Sequence, residues 1–240
     1  MVVEPLVLDV FRPTTDNDAE NVGREWKTKF VDLVKAHTRS IEWSMADDKN
    51  TATVNYKQRI APPVLEWAID TTIKYTFKSD SVSIKVEGLP QGKHLPSCFP
   101  RLSFTPTLTL DLTSVRWFGR GPGESYRDKK LSQLLGTYKA SVEGLWTPYE
   151  FPQESGNRTD VRWVTFSTQA DERRLSARFL NRPQGFNLSA SHCREFDIEA
   201  AKHPYELERR MRGEVIIRLD WDHNGLGTGS CGKHPLMTLL

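Results

Sequence analysis

Three glycines spaced two apart, Gly119, Gly121 and Gly123, fall in "WFGRGPGESYRD" (117–128) and are followed by Glu124, Tyr126 and Asp128. Closely spaced glycines let backbone amides crowd an anion, so a phosphate cradle is the first chemistry to weigh. The spacing argues against it. A dinucleotide fingerprint needs G-x-G-x-x-G inside a βαβ unit, and a P-loop needs Gly-Lys-Ser/Thr; the sequence has neither. What remains is a glycine-rich loop carrying two carboxylates and a phenol, and such a loop is either a wide connection or a mobile functional segment.

Other clusters carry donor atoms in unsuitable patterns. "DWDHNG", Asp220 to Gly225, imitates the start of a calcium loop, but the twelfth position, which should be Glu, is Cys231. His192-Cys193 and Cys231 with His234 offer metal-ligating atoms without the paired spacing of a zinc site, so no metal and no cofactor are expected. Asp16 and Asp18 could be imagined as the two carboxylates of a retaining glycosidase, which face each other across a sugar at about 5–5.5 Å. Two residues apart at a helix start, they compete instead for cap hydrogen bonds, and a structural role is preferred. No Ser/His/Asp or Cys/His arrangement stands out among the six histidines. Local chemistry alone declares no catalytic centre.

The elements that must position these residues read mostly as strands. Period-two alternation places Val82, Ile84 and Val86 on the buried face of one strand, and Val215, Ile217, Leu219 and Trp221 opposite the polar Arg218, Asp220 and Asp222 on another. "RLSFTPTLTLDLTSVRWFG" continues the pattern, with Pro106 marking an edge or bulge because it cannot donate to a ladder. Further strands are predicted at 41–46, 51–60, 71–78, 161–168, 173–180 and 185–191. A period of about four through Val22, Trp26, Phe30 and Val34 predicts an amphipathic helix, with Asp16, Asn17 or Asp18 as its N-cap, and a short helical turn is expected at 128–136. The fold class is therefore all-β, a large antiparallel sandwich with one short N-terminal helix, in a single domain over 1–240.

Bulk properties remove several classes of function. Thirty-three basic and 31 acidic residues give a net charge of +2 with no basic tract, so no nucleic-acid partner is expected. No apolar run approaches the roughly 18 residues of a membrane-spanning helix, so no membrane partner is expected either. Three widely spaced cysteines and an N-terminus unlike a signal peptide point to the cytoplasm. The sequons at Asn157 and Asn187 are then coincidental.

Four segments in order, "FRPTTDND" (11–18), "VRWFGRGPGESYRDKKLS" (115–132), "WTPYEFPQESGNRTDVRW" (146–163) and "NGLGTGSCG" (224–232), resemble the C-terminal small-chain domain of glycoside hydrolase family 2 β-galactosidases, fungal and yeast lactases in particular. The resemblance covers nearly the whole chain. It implies a supersandwich similar to galactose mutarotase, with catalytic residues none in this chain because the family's two glutamates lie on a barrel. The implied partners are that barrel, as a chain or domain, and a galactoside substrate such as lactose. By the same resemblance Gly121, Pro122, Gly123, Glu124, Ser125, Tyr126 and Asp128 form a flexible loop beside the active site, with glycines as hinges. Cys231 stands where bacterial relatives place a sugar-stacking tryptophan. The ending "CGKHPLMTLL" departs from the family and suggests a truncated or divergent C-terminus. Stand-alone carbohydrate binding, an inactive fragment and aldose epimerase activity are the competing expectations.

Overall fold

The computed structural model of the protein describes residues 2–4, 6–19, 22–47 and 49–226. The chain divides into two compact units, one made of the residues up to Arg24 together with those from Cys98 onward, the other of Glu25–Ser97. In chain order the strands are β1 Val2–Glu4, β2 Leu8–Asp9, β3 Lys35–Met45, β4 Ala52–Ala61, β5 Trp67–Phe77, β6 Val82–Gly92, β7 Arg101–Phe104 and β8 Thr107–Thr109. They continue as β9 Ser114–Gly121, β10 Leu134–Ser141, β11 Arg158–Val161, β12 Trp163–Ser167, β13 Arg174–Ala177, β14 Phe186–Ser191 and β15 Glu214–His223. The helices are short: α1 Asp16–Ala19, α2 Val22–Thr28, α3 Val142–Leu145, α4 Glu195–Ala200 and α5 Pro204–Glu208. The fold is all-β and every strand pairing is antiparallel.

The larger unit is a sandwich. A seven-stranded sheet runs β1-β8-β15-β14-β11 with β7 and β2 attached, and a four-stranded sheet runs β10-β9-β12-β13. Apolar side chains from both meet in one core, with Val115, Trp117, Val164 and Phe166 from the smaller sheet and Phe186, Leu188, Val215 and Ile217 from the larger. The alternation read in Val215, Ile217 and Leu219 is therefore the core face. The opposite side of β15 is not solvated: Arg218 and Asp220 are buried as well. Pro106 splits the long predicted strand into β7 and β8, both paired to β15, and its carbonyl accepts from the Ile217 N–H at 3.1 Å. Lacking an N–H, proline interrupts the ladder where it stands.

Glu25–Ser97 holds a second four-stranded sheet, a meander in the order β3-β4-β5-β6. At its inner end Ile60, Trp67, Ile69 and Ile73 are buried, and the Trp67 indole N–H donates to the Lys29 carbonyl at 3.0 Å. Farther out the register aligns Trp43, Val54, Tyr75 and Ile84 in one row across all four strands. Val82 and Ile84, expected on a buried face, are exposed. The alternation is real, but nothing among the described residues covers that part of the face.

Two expected helices differ. The helix through Val22–Val34 stops at Thr28, because Phe30 takes a left-handed conformation (φ 55°) and a 3-10 turn, Val31–Leu33, follows. The 128–136 stretch is a turn leading into β10, because Leu134, Leu135 and Gly136 pair with Gly121, Arg120 and Gly119. α4 and α5 have no counterpart among the expected elements; short helices of five or six residues leave too little periodicity to detect.

Candidate functional site

The glycine-rich loop is the connection between β9 and β10, residues 122–133, and a second segment holds it along most of its length. The Arg158 guanidinium donates to the Pro122 carbonyl at 2.9 Å, and to those of Leu145 and Gly156 at 2.6 Å each, while lying 5.7 Å from the Trp117 ring centroid. The Gly123 N–H donates to Gln133 Oε1 at 2.7 Å. Glu124 accepts the Tyr149 hydroxyl at 2.5 Å, the Gly156 N–H at 3.0 Å and the Thr147 hydroxyl at 3.1 Å, with Lys129 Nζ at 3.4 Å. Burial alone would raise the Glu124 carboxyl, but the Gly156 N–H, the Tyr149 hydroxyl and Lys129 outweigh it and hold the group below the ordinary glutamate value. Tyr149 is pushed up to about 12, first by burial and then by the carboxylate it serves.

Ser125 and Tyr126 point inward. The Ser125 N–H donates to the Asn157 carbonyl at 2.8 Å, the Asn157 amide returns a bond to the Ser125 carbonyl at 2.8 Å, and Ser125 Oγ lies 3.0 Å from Thr159 Oγ1. Asn157 is thus fully buried and cannot serve as a glycosylation acceptor in the folded chain. Tyr126 is fully buried, accepts the Asn157 N–H at 3.4 Å and packs its ring 5.4 Å from that of His223. Its phenol is raised well above the ordinary value, chiefly by burial. Asp160, with φ of 58°, closes the far end by pairing with Arg120 and Lys130 at 2.6 Å each.

The remaining two segments meet the loop from the other side. Asp128 Oδ1 accepts the Leu226 N–H at 3.2 Å, and a Cβ on Gly225 would come within 2.5 Å of Asp128 Oδ2, so glycine is required for this approach. Arg12 donates to the Gly225 carbonyl at 3.3 Å and Asn17 to that of Leu226 at 3.0 Å. Arg12 also forks onto buried Asp18 at 2.8 and 3.1 Å. Asp18 and Thr15 form a reciprocal cap: Thr15 N–H donates to Asp18 Oδ2 at 2.8 Å, and Asp18 N–H to Thr15 Oγ1 at 3.4 Å. Thr15 thus caps α1, and Asp16, Asn17 and Asp18 lie inside that separate short helix rather than directly ahead of α2, so none of them takes the N-cap role expected of it. Asp16 and Asn17 lie exposed at the loop's rim. Pro122, Arg127, Asp128 and Lys129 form the exposed edge, with Arg127 3.9 Å from Asp222. Cys231 and His234 lie outside the described residues. His192 and Cys193 stand apart from the loop: His192 lies between the Glu214 carbonyl and Glu143, and Cys193 packs with Ile198 and Leu207.

Beneath Tyr126 lies a buried ionic network that alternation concealed. Arg101 contacts Glu154 and Glu195 at 3.3 Å each and Asp220 at 3.6 Å; Arg218 pairs with Glu195; His223 stands 3.4 Å from Glu154. Burial opposes the Glu154 charge, yet Arg101 and His223 prevail and bring its carboxyl down to about 2. Asp220 is raised, because burial outweighs the attraction of Arg101. The void lined by Glu154, Ser189 and Arg218 is about 10 Å³, room for no more than one water. A larger open cavity of about 630 Å³ lies on the Glu25–Ser97 sheet and includes Asp70 and Glu87. Those carboxylates are diagonal on one face of adjacent strands, Asp70 opposite Leu89 and Glu87 opposite Thr72, one paired with Arg59 and the other with Lys85.

Neither unit therefore pairs a nucleophile with an acid around a sugar-sized space among the described residues. The arrangement can order a solvent-facing loop on a rigid floor. A family model described as beta galactosidase small chain matches residues 1–240. The chain is 31% identical over 227 residues to the β-galactosidase of Kluyveromyces lactis, covering 94% of this chain and 21% of the relative. It is 37% identical to that of an Arthrobacter species and 28% identical to that of Priestia megaterium, covering 94% and 95% of this chain and 24% and 21% of the relatives. The chain spans about a fifth of the length of the curated relatives it matches.

Proposed function

We propose a function from one established premise: the chain belongs to the beta galactosidase small chain family, whose model matches residues 1–240. It is a β-galactosidase component that contributes an ordered rim, Gly121 to Asp128, to the aglycone side of a galactoside pocket. The two carboxylates that cleave the glycosidic bond come from a barrel outside this sequence, and the substrates are terminal β-galactosides such as lactose. One observation carries the reading. The four segments that resemble the family, as far as they are described, converge in space on the β9–β10 loop, and their exposed edge is Pro122, Arg127, Asp128, Asp16 and Asn17. Pinning a loop this thoroughly while leaving its edge to solvent suits a positioning surface, which shields a developing oxocarbenium ion from water.

The carboxylates of the larger unit support placing the chemistry elsewhere. Glu154, Glu195 and Asp220 are neutralised by arginines and have no room for a sugar beside them. A general acid and a nucleophile must instead face substrate about 5–5.5 Å apart. We also place the chain in the cytoplasm, on the buried Cys193 being a free thiol. No described helix is long and apolar enough to cross a membrane.

The test is hydrolysis of a chromogenic β-galactoside by the purified chain, by a barrel-bearing large chain, and by the two mixed. Activity confined to the mixture is expected. Hydrolysis by this chain alone overturns the division of labour, and sugar binding without hydrolysis in any arm would favour a stand-alone binding module.

A further inference from the structure

The sheet of Glu25–Ser97 is two-faced along its outer half. Residues 41, 43 and 45 of β3, and 82 and 84 of β6, share one face with Phe77, whereas Glu42, Ser44, Lys74 and Lys85 share the other. The apolar face is open: Trp43 is 73% exposed, Ile41 62%, Met45 52% and Val82 49%, with Ile84 and Phe77 close behind. Soluble monomers rarely expose a contiguous apolar patch of more than a few hundred Å², and a larger one marks an interaction surface.

The side-chain types decide what covers it. A sugar platform needs aromatic planes flanked by hydrogen-bonding groups. Tyr56 and Tyr75 share this face, but Ile41, Met45, Val54, Val82 and Ile84 make most of it aliphatic surface with no donor or acceptor, so the occupant is protein. Charged residues are confined to the opposite face, the composition of the buried core of a stable interface and not of a transient one. The relatives carry roughly four-fifths of their length outside the stretch this chain matches, so the enzyme in which such a chain works contains a much larger body to supply the cover. We propose that this apolar face is the docking surface for the polypeptide that makes up the rest of a β-galactosidase. The inference rests on the functional reading above and adds the surface by which the parts join.

The experiment mixes the full chain with the yeast relative's polypeptide lacking the matched stretch, and measures association by sedimentation alongside hydrolysis of a chromogenic β-galactoside. Trp43→Glu and Ile84→Lys are each expected to weaken association at least tenfold, and Glu42→Lys, on the opposite face, less than twofold. The unfolding midpoint of the isolated chain should not move in any of the three, since all the sites are solvent-exposed. If the complex forms and hydrolyses substrate but the two apolar-face variants bind like the unaltered chain, the docking surface lies elsewhere and the functional reading stands alone. If the variants weaken a complex that never hydrolyses substrate, docking stands and the functional reading falls. Self-association of the isolated chain that Trp43→Glu disperses would make the face a homotypic interface and overturn the proposal. Absence of any complex counts against both.

Discussion

Arg158 donates a hydrogen bond to the Pro122 carbonyl at 2.9 Å, and no carboxylate pairs with this buried guanidinium among the described residues. Its charge is met by three backbone carbonyls and the face of Trp117. A fork is needed to reach Leu145, Gly156 and Pro122 together, and an ammonium cannot span them. Arg158→Lys should therefore lower stability by roughly 2–4 kcal/mol, since hydrogen bonds to a charged group contribute about 1.5–3 kcal/mol each. It should also release the loop. Urea unfolding measures the first effect, and faster tryptic cleavage after Arg127 and Lys129 measures the second. Destabilisation without faster cleavage would detach Arg158 from control of the loop.

Arg101 holds Glu154, Glu195 and Asp220 in a fully buried network. Removing that cation takes a partner from each of the three carboxylates and leaves Glu195 to Arg218 and Glu154 to His223, and breaking a buried pair from one side costs about 3–5 kcal/mol. Arg101→Met should accordingly abolish soluble expression or lower the unfolding free energy by at least that much. Asp220→Asn should cost less than half as much, because burial already favours the neutral form of that side chain. Equal losses in the two variants would contradict this ranking.

The same network sets an acid limit. Glu154 titrates at about 2 in the folded chain against 4.5 ordinarily, so the unfolded chain binds its proton first as pH falls. The contribution is fully present above about pH 4.5 and is lost as pH drops through about 2. Each pH unit between the two values is worth about 1.4 kcal/mol, which bounds the effect at about 3 kcal/mol. Glu154→Gln should flatten stability against pH across that window. An unchanged acid slope would assign it to other groups.

How far the sequence could be read follows from the kinds of contact involved. Alternation locates β4, β5, β12, β14 and β15, because one face of each meets an apolar core or an apolar patch and the other does not. It sets Arg218 and Asp220 on the polar face without revealing that they are buried, since a period-two pattern cannot distinguish water from an ionic network on that side. Arg101 reaches its partners across 53 and 94 residues of sequence, and no local pattern encodes such a separation. A glycine-rich loop was legible in the sequence, although Gly119 and Gly121 lie in β9 and the connection runs on from Pro122 to residue 133. Its cradle was not, although Thr147, Tyr149, Asn157 and Arg158 all lie within the 146–163 segment that carried the family resemblance. The hinge expected of the glycines concerns motion. In this state neither Gly121 nor Gly123 adopts a left-handed φ, and both are used for close packing.

That packing gives the two glycines different sensitivities. A Cβ on Gly121 would sit 2.7 Å from the Tyr138 ring, which is fixed against Trp117 and donates its hydroxyl to the Leu134 carbonyl at 3.0 Å. Gly121→Val must displace an aromatic ring and should cost about 1–3 kcal/mol of stability. A Cβ on Gly123 would meet only the tip of Gln133, 3.0 Å away, whose flexible side chain can withdraw. Gly123→Ala should leave stability within about 1 kcal/mol of the unaltered chain, as surface substitutions do. It still disturbs the bond from the Gly123 N–H to Gln133 that sets the start of the loop. On the proposed reading of the loop as a positioning rim, kcat of an assembled enzyme on a chromogenic β-galactoside should then fall by about tenfold with Gly123→Ala, while the affinity between the chains changes less than twofold. Parallel losses of turnover and assembly would reduce the loop to scaffolding.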